Sequence, residues 1–356
     1  MVTSIGTFAQ NEVLRRRILD TQTEFNRLQV QVSSGKRGAN YSSLGENARL
    51  SLSLQQSKTV TQTFIQANIT TEIRMEQMQS VLERIKTLSN DIRNSALPAI
   101  GAATIPAANG NAALKAQANG ALLEIAQLLN TQIDGFYLFG GRQSDAPPMV
   151  EPGSTGSAGT PLANVAAVAA IAPLANNGAS GDTLYDNIVA HLDGTAVGAQ
   201  PGASPVRYYD GEYDATVEAL LVTRIDTNTD ITYGITGRDD SVNTIMQSLY
   251  ALSVVDLNPA NEAGYRQVIN RVIKDLKDGF DGVIEEIGDL GVKQLQLQET
   301  TIRQNDFITA LDMQIGNVED VDMSSALSAL TATQTSLEAS YRMLTLMRDM
   351  TLVKYL

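Results

Sequence analysis

The chain has 356 residues, is 43% hydrophobic but only 5% aromatic with no Trp, and carries a formal net charge of −13; this length sets an expectation of two or three domains, and the lean aromatic content suits long helices and small β modules better than a large enzyme core. An acidic chain whose longest basic run is Arg15-Arg16-Arg17 lacks the clustered cations that nucleic acid and anionic membrane surfaces require, so neither is expected as a partner. With no Cys, disulfides and thiolate metal sites are excluded, which fits a protein that ends up outside the cell without oxidative folding.

Residues 1–10 lack the basic-then-apolar plan of a cleaved secretory signal. From Ile5 to Ser34 there is no Pro and a single Gly, and Leu14, Ile18, Thr21, Phe25, Leu28 and Val32 step alternately by four and three. That spacing is a coiled-coil seam, too thin to fold without a partner helix. Gly35 is the natural C-cap, and 38–46 is a connecting loop. Residues 47–96 hold neither Pro nor Gly, a helix of roughly 75 Å if unbroken, with a stripe at Met75, Met78, Leu82, Ile85, Ser89 and Ile92. Pro98 and Pro106 turn the chain. A third helix is expected over 112–134, with Leu122, Ile125, Leu129 and Ile133 on one face, followed by a strand or tight hairpin edge, Phe136-Tyr137-Leu138-Phe139-Gly140-Gly141.

The character changes over residues 142–240. Gly, Pro, Ala and Thr fill the first half; the apolar stretch 162–175 is too short for a membrane span, so no membrane insertion is expected. The second half holds strand-like runs at 206–209, 216–225 and 230–235 between turn signals. Helix patterns resume near Ser241, with Asp239 and Asp240 placed to cap, and continue over 261–290, 292–314 and 323–356. The last repeats the seam of the first, with Met323, Leu327, Leu330, Gln334, Leu337, Tyr341 and Leu344. Residues 1–40 are net +3 and 310–356 net −3, which favours the two ends lying side by side, although exposed pairs contribute only about 0–1 kcal/mol each.

Four stretches carry a resemblance to the flagellin superfamily, and within it to the hook-associated proteins at the junction of hook and filament. Ser33-Ser34-Gly35-Lys36-Arg37 is similar to the family's hallmark end of the first helix. Phe136 to Gly141 is similar to a segment typical of junction proteins, and Val206-Arg207-Tyr208-Tyr209-Asp210-Gly211 to the strand that follows. Leu337-Glu338-Ala339-Ser340-Tyr341 through Leu352-Val353-Lys354-Tyr355-Leu356 resembles the junction proteins' ending. One departure stands at Ser42-Ser43-Leu44-Gly45, where many members carry an Asp- and Pro-containing turn.

The resemblance implies a mainly α fold with a β-rich insert. The terminal segments, 1–45 and 317–356, would pair as a coiled-coil assembly layer; 46–141 and 241–316 would form a long-helix bundle; 142–240 would be a solvent-facing insert. It implies a homo-oligomeric ring between the preceding hook-associated protein and the filament flagellin. It also implies export through the flagellar type III apparatus, with a cytosolic export chaperone on the C-terminal helix. The expected assembly residues are Leu14, Ile18, Phe25, Leu28, Val32, Leu327, Leu330, Leu337, Tyr341, Leu344, Leu352 and Leu356. A filament flagellin subunit, polymerising in thousands, is the alternative.

The chemistry-bearing residues do not assemble into a catalytic pattern. His191 is the sole histidine, so any Ser-His-Asp triad would rest on it, and no Gly-x-Ser-x-Gly accompanies it. Asp226, Asn228 and Asp230 begin like a calcium loop, but Ile231 and Gly237 stand where Gly and Glu are needed. Gly140-Gly141-Arg142 lacks the Gly-Lys-Ser/Thr of a phosphate loop. The adjacent acids Asp239-Asp240 and Glu285-Glu286 diverge by about 100° on a helix and read as caps and solvated faces. No cofactor, metal or enzymatic activity is expected.

Overall fold

A computed structural model describes residues 2–38, 40–101, 108–142, 144–149, 180–192, 220–255 and 262–349. The expected strand at 206–209 and the end residues Leu352 and Leu356 lie outside them. Helix α1 spans Val2–Ser34. A 3₁₀ segment, Tyr41–Asn47, leads into α2, Ala48–Ala96, and the short α3, Pro98–Gly101. Helix α4 (Ala108–Leu129) is followed by strands β1 (Gln132–Ile133) and β2 (Phe136–Tyr137). Then come α5 (Gly181–Leu192), β3 (Leu221–Asp226), β4 (Thr229–Tyr233), α6 (Asp240–Val254), α7 (Glu262–Glu319) and α8 (Met323–Asp349). The chain divides into two compact units, one of residues 1–65 with 302–356 and the other of 66–301. Both α2 and α7 contribute residues to each.

The unit of residues 66–301 has a continuous apolar core. The stripe of α2 is buried throughout: Met75, Met78, Leu82 and Ile85 are fully enclosed, and buried Ser89 donates its hydroxyl to the Leu276 carbonyl, 3.1 Å away. Leu122, Ile125 and Leu129 of α4 join them, as do Ile245, Leu249 and Tyr250 of α6 and Val268, Val272, Leu276 and Val283 of α7. The described parts of 142–240 enter this same core. Hairpin β3–β4 is antiparallel, pairing Leu221 with Tyr233 and Thr223 with Ile231, and buries Ile225, Ile231 and Tyr233.

Four local details differ from the sequence reading. Helix α4 stops at Leu129, and the turn that follows is Asp134-Gly135, with φ 54° and 81°. Two positive φ values at the centre of a two-residue loop make a type I′ hairpin turn, for which Asp-Gly is a preferred pair. Leu138 and Phe139, next in line, are buried, and the Phe139 carbonyl accepts from Gly237 N at 2.9 Å. Second, α7 is one helix of 58 residues through Gly288 and Gly291. Each interior glycine costs about 1 kcal/mol against alanine, and buried Val283 before them, Leu290 between them and Leu297 after them hold the helix. Third, 181–192 is helical; α5 buries Leu184, Tyr185 and Ile188, and Tyr185 Oη lies 3.2 Å from Ser248 Oγ. Burial raises the phenol's pKa. Fourth, α1 begins at Val2.

Gly279 and Gly282 bring α7 against the start of α6. A Cβ at Gly279 would lie 2.6 Å from Ile245 Cγ1 and 2.9 Å from the Ser241 carbonyl, whereas a Cβ at Gly288 would meet nothing. Gly279→Ala is therefore expected to destabilise the chain by about 1–3 kcal/mol, and Gly288→Ala to stabilise it by about 0.5–1 kcal/mol. Urea unfolding of the two variants checks both signs.

Candidate assembly interface

In the unit of residues 1–65 and 302–356, α1 packs along α8. The helices are antiparallel, because the end of α1 meets the start of α8. Gly35 (φ 71°) closes α1 through its N–H to the Gln31 carbonyl at 2.8 Å. The chain then runs beside the α7–α8 connection. Arg37 N donates to the Glu319 carbonyl at 2.6 Å, and Val321 N to the Gly35 carbonyl at 2.9 Å, an antiparallel bridge centred on Lys36 and Asp320. Side chains reinforce it. Lys36 Nζ reaches Glu319 Oε2 at 3.3 Å and Asp320 Oδ1 at 2.7 Å, and Arg37 Nε donates to the Asp320 carbonyl at 2.8 Å. Buried Gln31 donates to the Arg37 carbonyl, and Ser51 of α2 donates to Glu319. Residues 33–37, singled out for their sequence, thus form the corner where the two ends of the chain meet.

The α1 seam lies on the less exposed face. Ile18 and Leu28 are buried, and Leu14, Thr21, Phe25 and Val32 half-buried, while Val13, Leu19 and Val30 between them are exposed. On α8 the outcome divides. Leu330, Leu337 and Leu344 are half-buried, but Leu327 is 54% and Tyr341 44% exposed. The covered face instead runs Ala326, Leu330, Thr333, Leu337, Ser340, Leu344, stepping by four and three and alternating small with large side chains. A search for large apolar groups passes over Ala326, which is 4% exposed, and selects its neighbour Leu327. The heptad spacing from Leu330, continued through small residues, was the available signal. Leu352 and Leu356 lie outside the described residues.

The opposite charge of the chain ends concentrates at the corner. Within α1, Arg16 pairs with Glu12 and Arg27 with Glu24 along the helix; Lys36 makes the pairings across to Glu319 and Asp320. The hydrogen bond from Ser51, then that from Lys36, holds the Glu319 carboxyl below its ordinary value of 4.5. The hydrogen bond to Asp320, followed by that to Glu319, raises Lys36 above 10.5.

The acidic pairs of the other unit serve local structure and a shared field. Asp239 Oδ1 accepts from Ser241 N at 2.9 Å as the cap of α6. Half-buried Glu286 is raised first by desolvation and then by the charge of Asp239, so the two acidic pairs share a field, which the sequence did not show. Among the described residues no group of three His, Cys, Asp or Glu is placed to hold a metal ion, and no helix is long and apolar enough to cross a membrane.

Residues 274–356 match the family described as the bacterial flagellin C-terminal helical region. No curated protein matches the chain. Among solved structures, the chain is similar to a Vibrio parahaemolyticus protein assigned as a flagellar hook-associated protein, with 10% identity, TM-score 0.52, and coverage of 77% of this chain and 97% of that one. It is also similar to FlgL of Bacillus cereus, with 12% identity, TM-score 0.36, and coverage of 75% and 96%. The first of these likenesses shows a shared fold.

Two outcomes are expected at the interface. Leu28→Ala should weaken the α1–α8 pairing by about 2–3 kcal/mol, read as faster amide exchange in both helices with the 66–301 core unaffected. Because the Glu319 pKa is lowered on folding, its contribution is complete above about 4.5 and is lost as pH falls through the folded value. The raised Lys36 contributes fully below 10.5 and is lost as pH rises through its folded value. With Lys36 partly exposed, the pair is worth about 0.5–1 kcal/mol. Protection of the Arg37 and Val321 amides should therefore fall on acidification, and Glu319→Gln should flatten that dependence.

Proposed function

We propose that this chain, whose residues 274–356 match the flagellin C-terminal family, is a structural subunit of the bacterial flagellum that joins hook to filament. The observation that carries this reading is the state of α8. In a helix of flagellin C-terminal type, one face covers α1 while Met323, Leu327, Tyr341, Met343 and Leu346 are exposed on the remainder. Apolar side chains in such number on one helix mark a surface that associates. On this reading the chain acts by packing rather than by catalysis. The fold shared with the Vibrio parahaemolyticus protein supports it, as does the hallmark corner at 33–37.

The terminal helices would be ordered by assembly, the burial of their seams offsetting the entropy of ordering. The chain would form a ring of copies between a preceding hook-associated protein and the filament flagellin. It would leave the cell through the flagellar export apparatus, with a cytosolic chaperone holding its C-terminal helix beforehand. A filament flagellin remains a second reading, because the matched family is that of flagellin. The Phe136–Gly141 segment and the Tyr355-Leu356 ending favour the junction. Seeding purified protein with filament fragments separates the two: long filaments would mean flagellin.

Deleting residues 323–356 should leave a soluble chain, with its 66–301 core intact by circular dichroism, that is absent from flagella. Leu327→Asp, on the exposed face, should leave helix content unchanged and lower incorporation. Gold label on the native protein should mark the junction of hook and filament; label along the filament, or normal incorporation of the truncated chain, would sink the proposal.

A further inference from the structure

The lower part of α2 and the end of α7 lie side by side in the unit of residues 1–65 and 302–356. Lys58 Nζ is 2.5 Å from Asp312 Oδ1, and Ser51 donates to Glu319. These two pairs fix antiparallel helices in which each step along α2 matches a step backwards along α7. The face turned inward is partly polar, with Ser51, Thr61 and Gln304 buried beside Ile65, Leu311 and Ile315. The faces turned outward carry large apolar groups: Leu52 is 57% and Ile302 55% exposed, with Val60 and Met313 exposed as well. The outward face of an amphipathic helix in a finished fold is polar, so these four exposed groups mark faces that a single copy leaves uncovered.

Each outward face is a stripe at helical spacing. On α2 it runs Arg49, Leu52, Gln56, Val60; on α7 it runs Ile302, Asp306, Thr309, Met313; all eight are exposed. Each stripe contains one charge, of opposite sign, and neither Arg49 nor Asp306 makes an ion pair among the described residues. Residues 48–65 contain two cations and no acid, whereas 302–319 contain three acids and one cation.

We propose that the outward face of α2 in one copy seats on the outward face of α7 in a second copy, with Arg49 against Asp306. This rests on the assembly reading above and names the surface between neighbours. Copies related by a screw operation, a rotation about an axis along their helices combined with a shift along it, bring α2 of one antiparallel to α7 of the next. In that arrangement, pairing Arg49 with Asp306 brings Leu52 to within one residue of the level of Ile302, so the charged and apolar matches share one register. Inside a single chain, the Ser51–Glu319 and Lys58–Asp312 pairs place Asp306 level with residue 64. The proposed contact therefore offsets neighbouring copies by 15 residues, about 22 Å. It joins two different patches with a shift along the axis, so its repetition builds an open, helically stepped layer in place of a closed dimer, and the ring of the assembly reading would be one turn of that layer.

Cross-linking tests this directly, because the chain has no cysteine of its own. The full-length chain carrying Leu52→Cys and Ile302→Cys is oxidised both as concentrated purified protein and in isolated flagella. Within one copy the two positions are too far apart along the helices for a disulfide, which needs Cα atoms within about 7 Å. A ladder of dimers and higher species is expected from the double variant, and none beyond a dimer from either single variant. Arg49→Glu or Asp306→Arg added to it should lower the ladder about tenfold, and both together should restore it. Monomer bands alone in both settings, cross-links only to a different protein, or no restoration by the charge exchange would overturn the contact. If gold label is missing from flagella while the purified protein still forms the ladder, the flagellar role fails and the contact stands. If the label is present and the ladder is absent, the contact alone fails.

Discussion

The arrangement of the chain ends depends on three residues of backbone pairing. Gly35, Lys36 and Arg37 run antiparallel to Glu319, Asp320 and Val321, with N–H groups exchanged in both directions. Helices α1 and α8 are each amphipathic along a narrow seam, and narrow seams set register poorly, since sliding by one heptad presents a similar face. Backbone hydrogen bonds at one end remove that freedom. Gly35 makes the corner possible because its φ of 71° lies where a side chain is strained. Placed there, Lys36 meets two carboxylates at once. The ion pairs are too exposed to supply much stability; what they add is a preference for this corner over displaced ones.

The two units differ in how fully they cover their own apolar surface. In residues 66–301 the stripes of α2, α4, α6 and α7 are enclosed by one another and by the β3–β4 hairpin, so that unit completes its own core. Close approach of α6 to α7 at Gly279 and Gly282 is part of that closure. In the other unit, α1 buries Ile18 and Leu28, and α8 buries Ala326, while larger groups on both helices face outward. Two helices alone cannot cover more than one side of each other. The apolar excess there is thus a consequence of the architecture, and on the proposed assembly a neighbouring subunit would cover it.

Much of this was legible in the residues. The α1 seam from Leu14 to Val32 and the α2 stripe from Met75 to Ile92 follow from spacing, because large apolar groups recur without interruption. The α8 face was half legible: Leu330, Leu337 and Leu344 were found, but Ala326, Thr333 and Ser340 between them have small side chains that a hydrophobicity pattern ranks below Leu327 and Tyr341. The Asp134-Gly135 turn was concealed by the helical run before it, which made Gly135 look like a helix terminus. Continuity of α7 through Gly288 and Gly291 was not visible, since local propensity argues for a break and only burial at Leu290 and Leu297 overrules it. Helix α5 sits between Gly- and Ala-rich stretches that hide its periodicity. The Glu286–Asp239 proximity is tertiary and has no local signature.

The small-and-large alternation on α8 also bears on how firmly the ends are held. A seam of Leu against Leu at every layer would bury more area and resist separation. Replacing alternate layers with Ala326, Thr333 and Ser340 brings the helices closer but reduces the apolar surface removed from water, at about 25 cal/mol per Å². The pairing of α1 with α8 is therefore weaker than the core of the other unit, where whole side chains of Met, Ile and Leu are enclosed. For a chain proposed to pass unfolded through an export channel and order its ends only among neighbours, a weak internal pair is the useful condition. On that proposal it would come apart before export, and its outward groups would leave most of the association energy to be realised where the subunits meet.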